Sequence, residues 1–143
     1  MDGIIRTGIC VFCHDGEGRY LMQKRSKGAR DEHERWDGGG GGLKFGEKIE
    51  DAVRREIKEE YLAEVIEMEF LGYRDTLRIQ DGRQTHWIAM DFKVQVDPLM
   101  VGIGEPHKCD EIRWLTIEEI ENFNEPTHSA FPAFFEKNKK HFV

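Results

Sequence analysis

Three glutamates, Glu56, Glu59 and Glu60, stand at i, i+3 and i+4 in the stretch Ile49 to Glu60. On a helix, that spacing puts three carboxylates side by side on one face. On a wheel of about 100° per residue, Ile49, Ala52 and Val53 form an apolar stripe with Ile57 on its edge. Seven residues make nearly two turns, so Ile49 sets the azimuth of Glu56 and Val53 that of Glu60. Acidic side chains therefore take over where the apolar stripe should continue. Burying such charges uncompensated costs roughly several kcal/mol per ion, and the three repel one another. A divalent cation relieves both penalties, and an all-oxygen ligand set suits a hard ion such as Mg²⁺ or Mn²⁺. Arg55 can pair with a carboxylate and fix its rotamer. A solvated acidic helix face with i,i+4 ion pairs fits the same residues, and the wheel alone does not separate the two.

An uninterrupted run, Gly38 to Gly42, precedes this helix. It is not a P-loop, because Leu43 precedes Lys44 and no Ser or Thr follows. Nor does it contain G-x-G-x-x-G. It is either a flexible linker or a tight backbone path where side chains would obstruct a ligand.

The positioning elements follow from periodicity and turn chemistry. Residues 4–13 and 19–24 read as strands joined by a turn at Asp15 to Gly18. Residues 25–35 are a charged connector, and a helix runs from Glu47 to about Tyr61. Residues 65–79 read as extended, Asp81-Gly82 as a hairpin turn, and 85–96 as the return strand. Residues 112–115 form a short strand. Thr116 with Glu119 makes a capping box for the next helix, and a last helix covers about 130–140, with Phe131, Phe134 and Phe135 as core. The class is α+β, with a mixed sheet and a few helices.

With 143 residues, a single domain spanning 1–143 is expected. A net charge of −7 argues against duplex nucleic acid and against a polybasic membrane anchor. It leaves room for nucleotides held through a metal. No apolar stretch reaches about 18 residues, so no membrane span is expected. Three cysteines suit a reduced, cytoplasmic protein. Cys10 and Cys13 would point to opposite faces of their strand.

Gly41, five residues, Glu47, seven residues, then Arg55-Glu56-Ile57-Lys58-Glu59-Glu60 resemble the Nudix box, G-x5-E-x7-R-E-U-x-E-E-x-G-U, with U a bulky aliphatic residue. Leu21 to Ser26, Trp36 and Thr116 to Glu121 also resemble that family, and Glu105 to Cys109 is similar to members acting on nucleotides. Leu62, Ala63, Lys44 and Gly39 depart from the pattern. Leu62 replaces the glycine that would cap the helix and suggests a different ending, with an extra turn.

The resemblance implies a Nudix-like α/β/α sandwich with a loop–helix–loop catalytic motif. It implies Mg²⁺ (or Mn²⁺) on Glu56, Glu59 and Glu60, helped by the Gly41 carbonyl. Arg55 would orient a glutamate and Glu47 would brace the loop. The general base would be Glu56 or Glu59, or a loop acid, Glu105 or Glu111. The reaction would be hydrolysis of a pyrophosphate bond in a nucleoside triphosphate or an X-linked nucleoside diphosphate. A nucleotide-binding sensor with weak activity and an ADP-ribose or nucleotide-sugar pyrophosphatase are the alternatives. An acidic metal-binding module is the reading without the resemblance. Arg25, Trp36, Lys44, Phe45, Glu105 and Glu111 are candidate substrate contacts, while Trp87 and Phe92 read as core. The expected partner is a small nucleotide, on a monomer or homodimer.

Overall fold

The computed structural model describes residues 3–142, so the two ends of the expected 1–143 domain lie outside it. The elements are β1 (Ile5–His14), β2 (Arg19–Arg25), β3 (Trp36–Asp37), β4 (Gly40–Gly42), α1 (Ile49–Tyr61), β5 (Glu67–Gln80), β6 (Arg83–Gln95), β7 (Cys109–Thr116), α2 (Ile117–Glu121) and α3 (Phe131–Asn138). Among the described residues, no helix is long and apolar enough to cross a membrane.

β1 organises the sheet. It runs parallel to β6 from Ile5–His86 to His14–Gln95. β5 folds back antiparallel on β6 through Asp81-Gly82, and both turn residues have positive φ, as a two-residue hairpin turn requires. On its other side, β1 pairs with two different strands. Its middle, Gly8 to Cys10, pairs with β4 and its end with β2, which also pairs with β3 and β7.

Alternation along β1 divides two cores. Ile9, Val11 and Cys13 face α1 and pack with Ala52, Val53, Ile57 and Tyr61. Phe12 faces the other way and joins Tyr20, Trp36, Phe131, Phe134 and Phe142, with Cys10 packed against them. The two cysteines thus occupy opposite faces, as alternation requires, and both are free thiols. One helix covers one side of the mixed sheet and two cover the other, giving the α/β/α sandwich. α2 starts on the expected capping box: Thr116 Oγ1 accepts from Glu119 N at 3.2 Å, and the Glu119 carboxylate accepts from Thr116 N at 2.9 Å.

Two local expectations are corrected. The glycine run is not a loop, because Gly40 to Gly42 form β4, in register with Cys10, Ile9 and Gly8 of β1. And α1 gains no extra turn at Leu62. It ends at Tyr61, and Leu62 takes the left-handed capping conformation at φ 59°, its N–H donating to Lys58 O. The backbone demands that geometry because the next segment must turn back into β5, so a leucine adopts it at a steric penalty.

Candidate active site

α1 presents Ala52, Val53, Ile57 and Tyr61 to the core, and Glu56 and Glu60 are buried on the same face. The Glu60 carboxylate accepts the Gly40 N–H at 3.2 and 3.3 Å and meets Gln23 Nε2 at 3.4 Å. Burial pushes its pKa well above the usual carboxylate range, and the charges of Glu56 and Asp37 push the same way. Glu56 is also raised by burial, against the opposing pull of Arg55. The two carboxyl groups are neighbours on the buried face, and the charge of Glu56 raises Glu60 further.

Arg55 ties this pair to the preceding loop. Its Nε and Nη2 donate to Glu47 at 2.7 and 2.9 Å, its Nη1 to Glu56 at 2.7 Å, and Nη2 also reaches Gly42 O at 3.1 Å. Glu47 in turn accepts the Lys44 N–H at 3.1 Å. The Arg55 hydrogen bond holds the Glu47 carboxyl down at about 2. Arg55, Glu47 and Glu56 thus form one connected unit.

The glycines of β4 are explained by what lies on each side. A Cβ on Gly41 would collide with the Glu56 carboxylate, and one on Gly39 with that of Glu60. On the opposite face, a Cβ on Gly42 would stand 3.7 Å from the Trp87 ring. The Gly41 carbonyl oxygen lies beside Gly8 of β1, 3.2 Å from where a Cβ on Gly8 would sit. Gly41 therefore serves the glutamates first by lacking a side chain.

A cleft opens on the Trp87 face, lined by Gly38 to Gly42, Arg25, Arg74, Arg78, Trp87, His128 and Phe131. Arg25 is there as expected, but it is committed to Asp31 at 2.8 Å and Asp37 at 3.6 Å. Trp87, expected in the core, is a cleft wall instead, with the Arg30 guanidinium 5.6 Å from its ring centre. Phe92 is buried as expected.

Other expected contacts fall elsewhere. Trp36 is fully buried against Phe123 and beneath Arg113, so it has no face on which a base can stack. Lys44 and Phe45 are exposed outside the cleft. Glu111 is paired with Arg113 on β7. Glu105 follows a loop that caps α1, where Gly104 N donates to Glu60 O at 2.9 Å, and its carboxylate pairs with Lys108 at 3.5 Å. Arg74, Arg78 and His128 were missed. The signal was present for the first two: with Thr76 they occupy alternate positions of β5, opposite exposed Tyr73, Leu77 and Ile79.

The expected third carboxylate differs in position. The Glu59 side chain is 44% exposed and leans on Arg55 Nη1 at 3.4 Å. Among the described residues, no three His, Cys, Asp or Glu side chains converge as a ready cation site. The donor chemistry nonetheless fits a hard divalent ion. Two buried carboxyls crowd together, and a cation would offset the cost of their charges.

A profile of the NUDIX domain matches residues 5–134. The chain is 32% identical over 127 residues to nucleoside triphosphatase NudI of Klebsiella pneumoniae (strain 342), covering 83% of this chain and 87% of that protein. Among solved structures it resembles a MutT NUDIX hydrolase from Burkholderia pseudomallei, with TM-score 0.78 and 24% identity, over 94% of this chain and 98% of that one. It also resembles a MutT protein from Methanosarcina mazei Go1, with TM-score 0.82 and 20% identity, over 99% and 97%. The chain belongs to the Nudix family and is a Nudix hydrolase.

Proposed function

We propose that the protein is a divalent-metal-dependent pyrophosphohydrolase acting on nucleoside triphosphates. The observation that carries this reading is the buried Glu56–Glu60 pair, separated from a cation-lined cleft only by the side-chain-free strand β4. The relative named as a nucleoside triphosphatase favours triphosphates over X-linked diphosphates. Glu56, Glu60 and, after swinging inward, Glu59 would hold Mg²⁺ or Mn²⁺. When bound, that ion lowers the pKa of water and screens phosphate charge.

The chain's own residues do the rest. Arg55 fixes the Glu56 rotamer, with Glu47 bracing Arg55 from the loop. Water attacks phosphorus, the bridging P–O bond breaks, and the bridging oxygen leaves with the bond's electrons. A glutamate, Glu56 or Glu59, takes the proton of the attacking water.

The test is incubation with Mg²⁺ and a panel of nucleoside triphosphates, nucleotide sugars, ADP-ribose and dinucleoside polyphosphates, with product identification. Release of nucleoside monophosphate and pyrophosphate from triphosphates is expected. Glu59→Gln should abolish it while the melting temperature holds, and near-normal turnover would remove Glu59 from the set. Tight nucleotide binding with no product from any member would replace the enzyme reading with that of a sensor.

A further inference from the structure

Arg74 lines the cleft, and Asp91 behind it has no part in the site as described so far. Asp91, on β6, is completely buried with its charge. Its carboxylate is compensated by Arg74 Nε at 2.8 Å, Arg74 Nη2 at 3.0 Å, Lys137 Nζ at 3.2 Å and Asn138 Nδ2 at 3.0 Å. Gly72, at φ 109° beside the β5 bulge, leaves room for Lys137, since a Cβ there would stand 3.1 Å from Nζ. Arg74 is thereby pinned through two nitrogens, with its guanidinium 5.3 Å from the Phe134 ring centre. The rest of it borders the cleft beside Cys10.

The carboxylates that line the cleft are already engaged as acceptors. Asp31 is held by Arg25 and Gln80, and Asp37 by Gln23 and Arg25. His128 accepts the Ala130 N–H at Nδ1, so its proton sits on Nε2. Arg78 pairs through Nη1 with Glu32 at 2.9 Å, and its buried Nε has no acceptor among the described residues. Trp87 and Phe131 contribute aromatic surface to the lining. A planar group rich in carbonyl oxygens matches these surroundings.

We infer that Arg74, positioned by Asp91, reads a carbonyl oxygen of the substrate's nucleobase, so that oxo-bases are preferred over their amino counterparts. This rests on the pyrophosphohydrolase reading of the same site. Position favours a base over a phosphate here. Arg74 pairs with Ala89, Ala89 with Gly8 and Gly8 with Gly42. Three interstrand spacings, about 14 Å, thus separate Arg74 from β4 and the glutamates behind it. Phosphates held near the glutamates leave the base at the Arg74 end, where Asp91 has already balanced the arginine's charge. An amino group there would set N–H against N–H and leave a donor unpaired.

Matched pairs isolate that one contact. ITP differs from ATP at the 6-oxo position, and UTP from CTP at the 4-oxo position. The kcat/KM of the oxo member should exceed that of its amino partner by about tenfold or more. In Arg74→Met the ratio should fall close to one, mainly through the KM of the oxo substrate. Arg74→Met/Asp91→Asn removes the pair together and guards against misfolding from a lone buried charge. Asp91→Asn alone should shrink the ratio, which a purely structural role would not do. Equal kcat/KM within the pairs, or a wild-type ratio in the double variant, would overturn the inference. Calorimetric binding of IMP against AMP needs no turnover. If no triphosphate is hydrolysed, the pyrophosphohydrolase reading fails. IMP binding preferred over AMP, and levelled in the double variant, still upholds the Arg74 assignment, whereas equal binding overturns it.

Discussion

Arg55 grips Glu47 with Nε at 2.7 Å and Nη2 at 2.9 Å while its Nη1 holds Glu56 at 2.7 Å. One planar fork therefore sets both the loop before α1 and a buried carboxylate. Lysine keeps the charge but loses the fork. Arg55→Lys should lower kcat by roughly 10- to 100-fold with a nearly unchanged melting temperature. Steady-state kinetics beside thermal melts checks this.

The same contact has an acid signature. Glu47 is held down at about 2 from an ordinary 4.5, first by the Arg55 hydrogen bond. A carboxylate with a depressed folded-state pKa contributes stability that is complete above 4.5 and lost as pH falls towards 2. Glu47→Gln should flatten the fall in melting temperature across that window. An unchanged slope would mean that other carboxylates dominate acid unfolding.

Glu60 has the opposite sign. Its pKa is raised by burial, so its contribution is complete below the ordinary 4.5 and is lost as pH rises. The metal-free protein should melt progressively lower above that pH, and Glu60→Gln should remove much of the slope. Added Mg²⁺ or Mn²⁺ should raise the melting temperature of the wild type, more so at higher pH, and leave Glu60→Gln nearly unmoved. Melts across pH with and without metal supply the comparison.

Three alanine substitutions in β4 should separate folding from function. A Cβ on Gly40 meets the backbone oxygen of Ile9, so Gly40→Ala should destabilise strongly, by about 3 kcal/mol. On Gly41 it meets the Glu56 carboxylate, which Arg55 holds, so Gly41→Ala should cost less stability than Gly40→Ala and lose activity. Gly42→Ala has ordinary contact distances to Trp87 and should melt close to wild type. Denaturant titration together with a turnover assay reads all three.

Leu62 is half exposed at a left-handed cap. Leu62→Gly should stabilise the protein by about 1 kcal/mol, because glycine removes the Cβ penalty at that φ. A lower midpoint in urea would show that its packing against Gly102 outweighs the strain.

Helical period made Glu56 and Glu60 legible, because an apolar stripe that turns acidic is visible in residue order alone. Turn and cap chemistry did the same for Asp81-Gly82 and Thr116 with Glu119. β4 was not legible, since a run of glycines has no side chains whose alternation could reveal a strand. Trp36 and Trp87 exchanged the roles expected of them for a reason that no local pattern carries. Phe123 and Arg113 enclose Trp36 from distant parts of the chain. The bare backbone of Gly8 and Gly42, in contrast, gives Trp87 a seat at the cleft. Leu62 misled because a backbone turn can be imposed on a residue ill suited to it. Glu59 kept its azimuth beside the other two acids but followed Arg55 towards solvent.

No side chain of β4 stands between Glu56 and Glu60 on one side and the cleft on the other. A cation at the carboxylates and an anionic group in the cleft would attract each other across a single layer of backbone. Occupancy of one position then raises affinity at the other, and the factor is the same in both directions. A strand carrying side chains would push the two apart and loosen that linkage, so the glycines would set how strongly metal and nucleotide depend on each other.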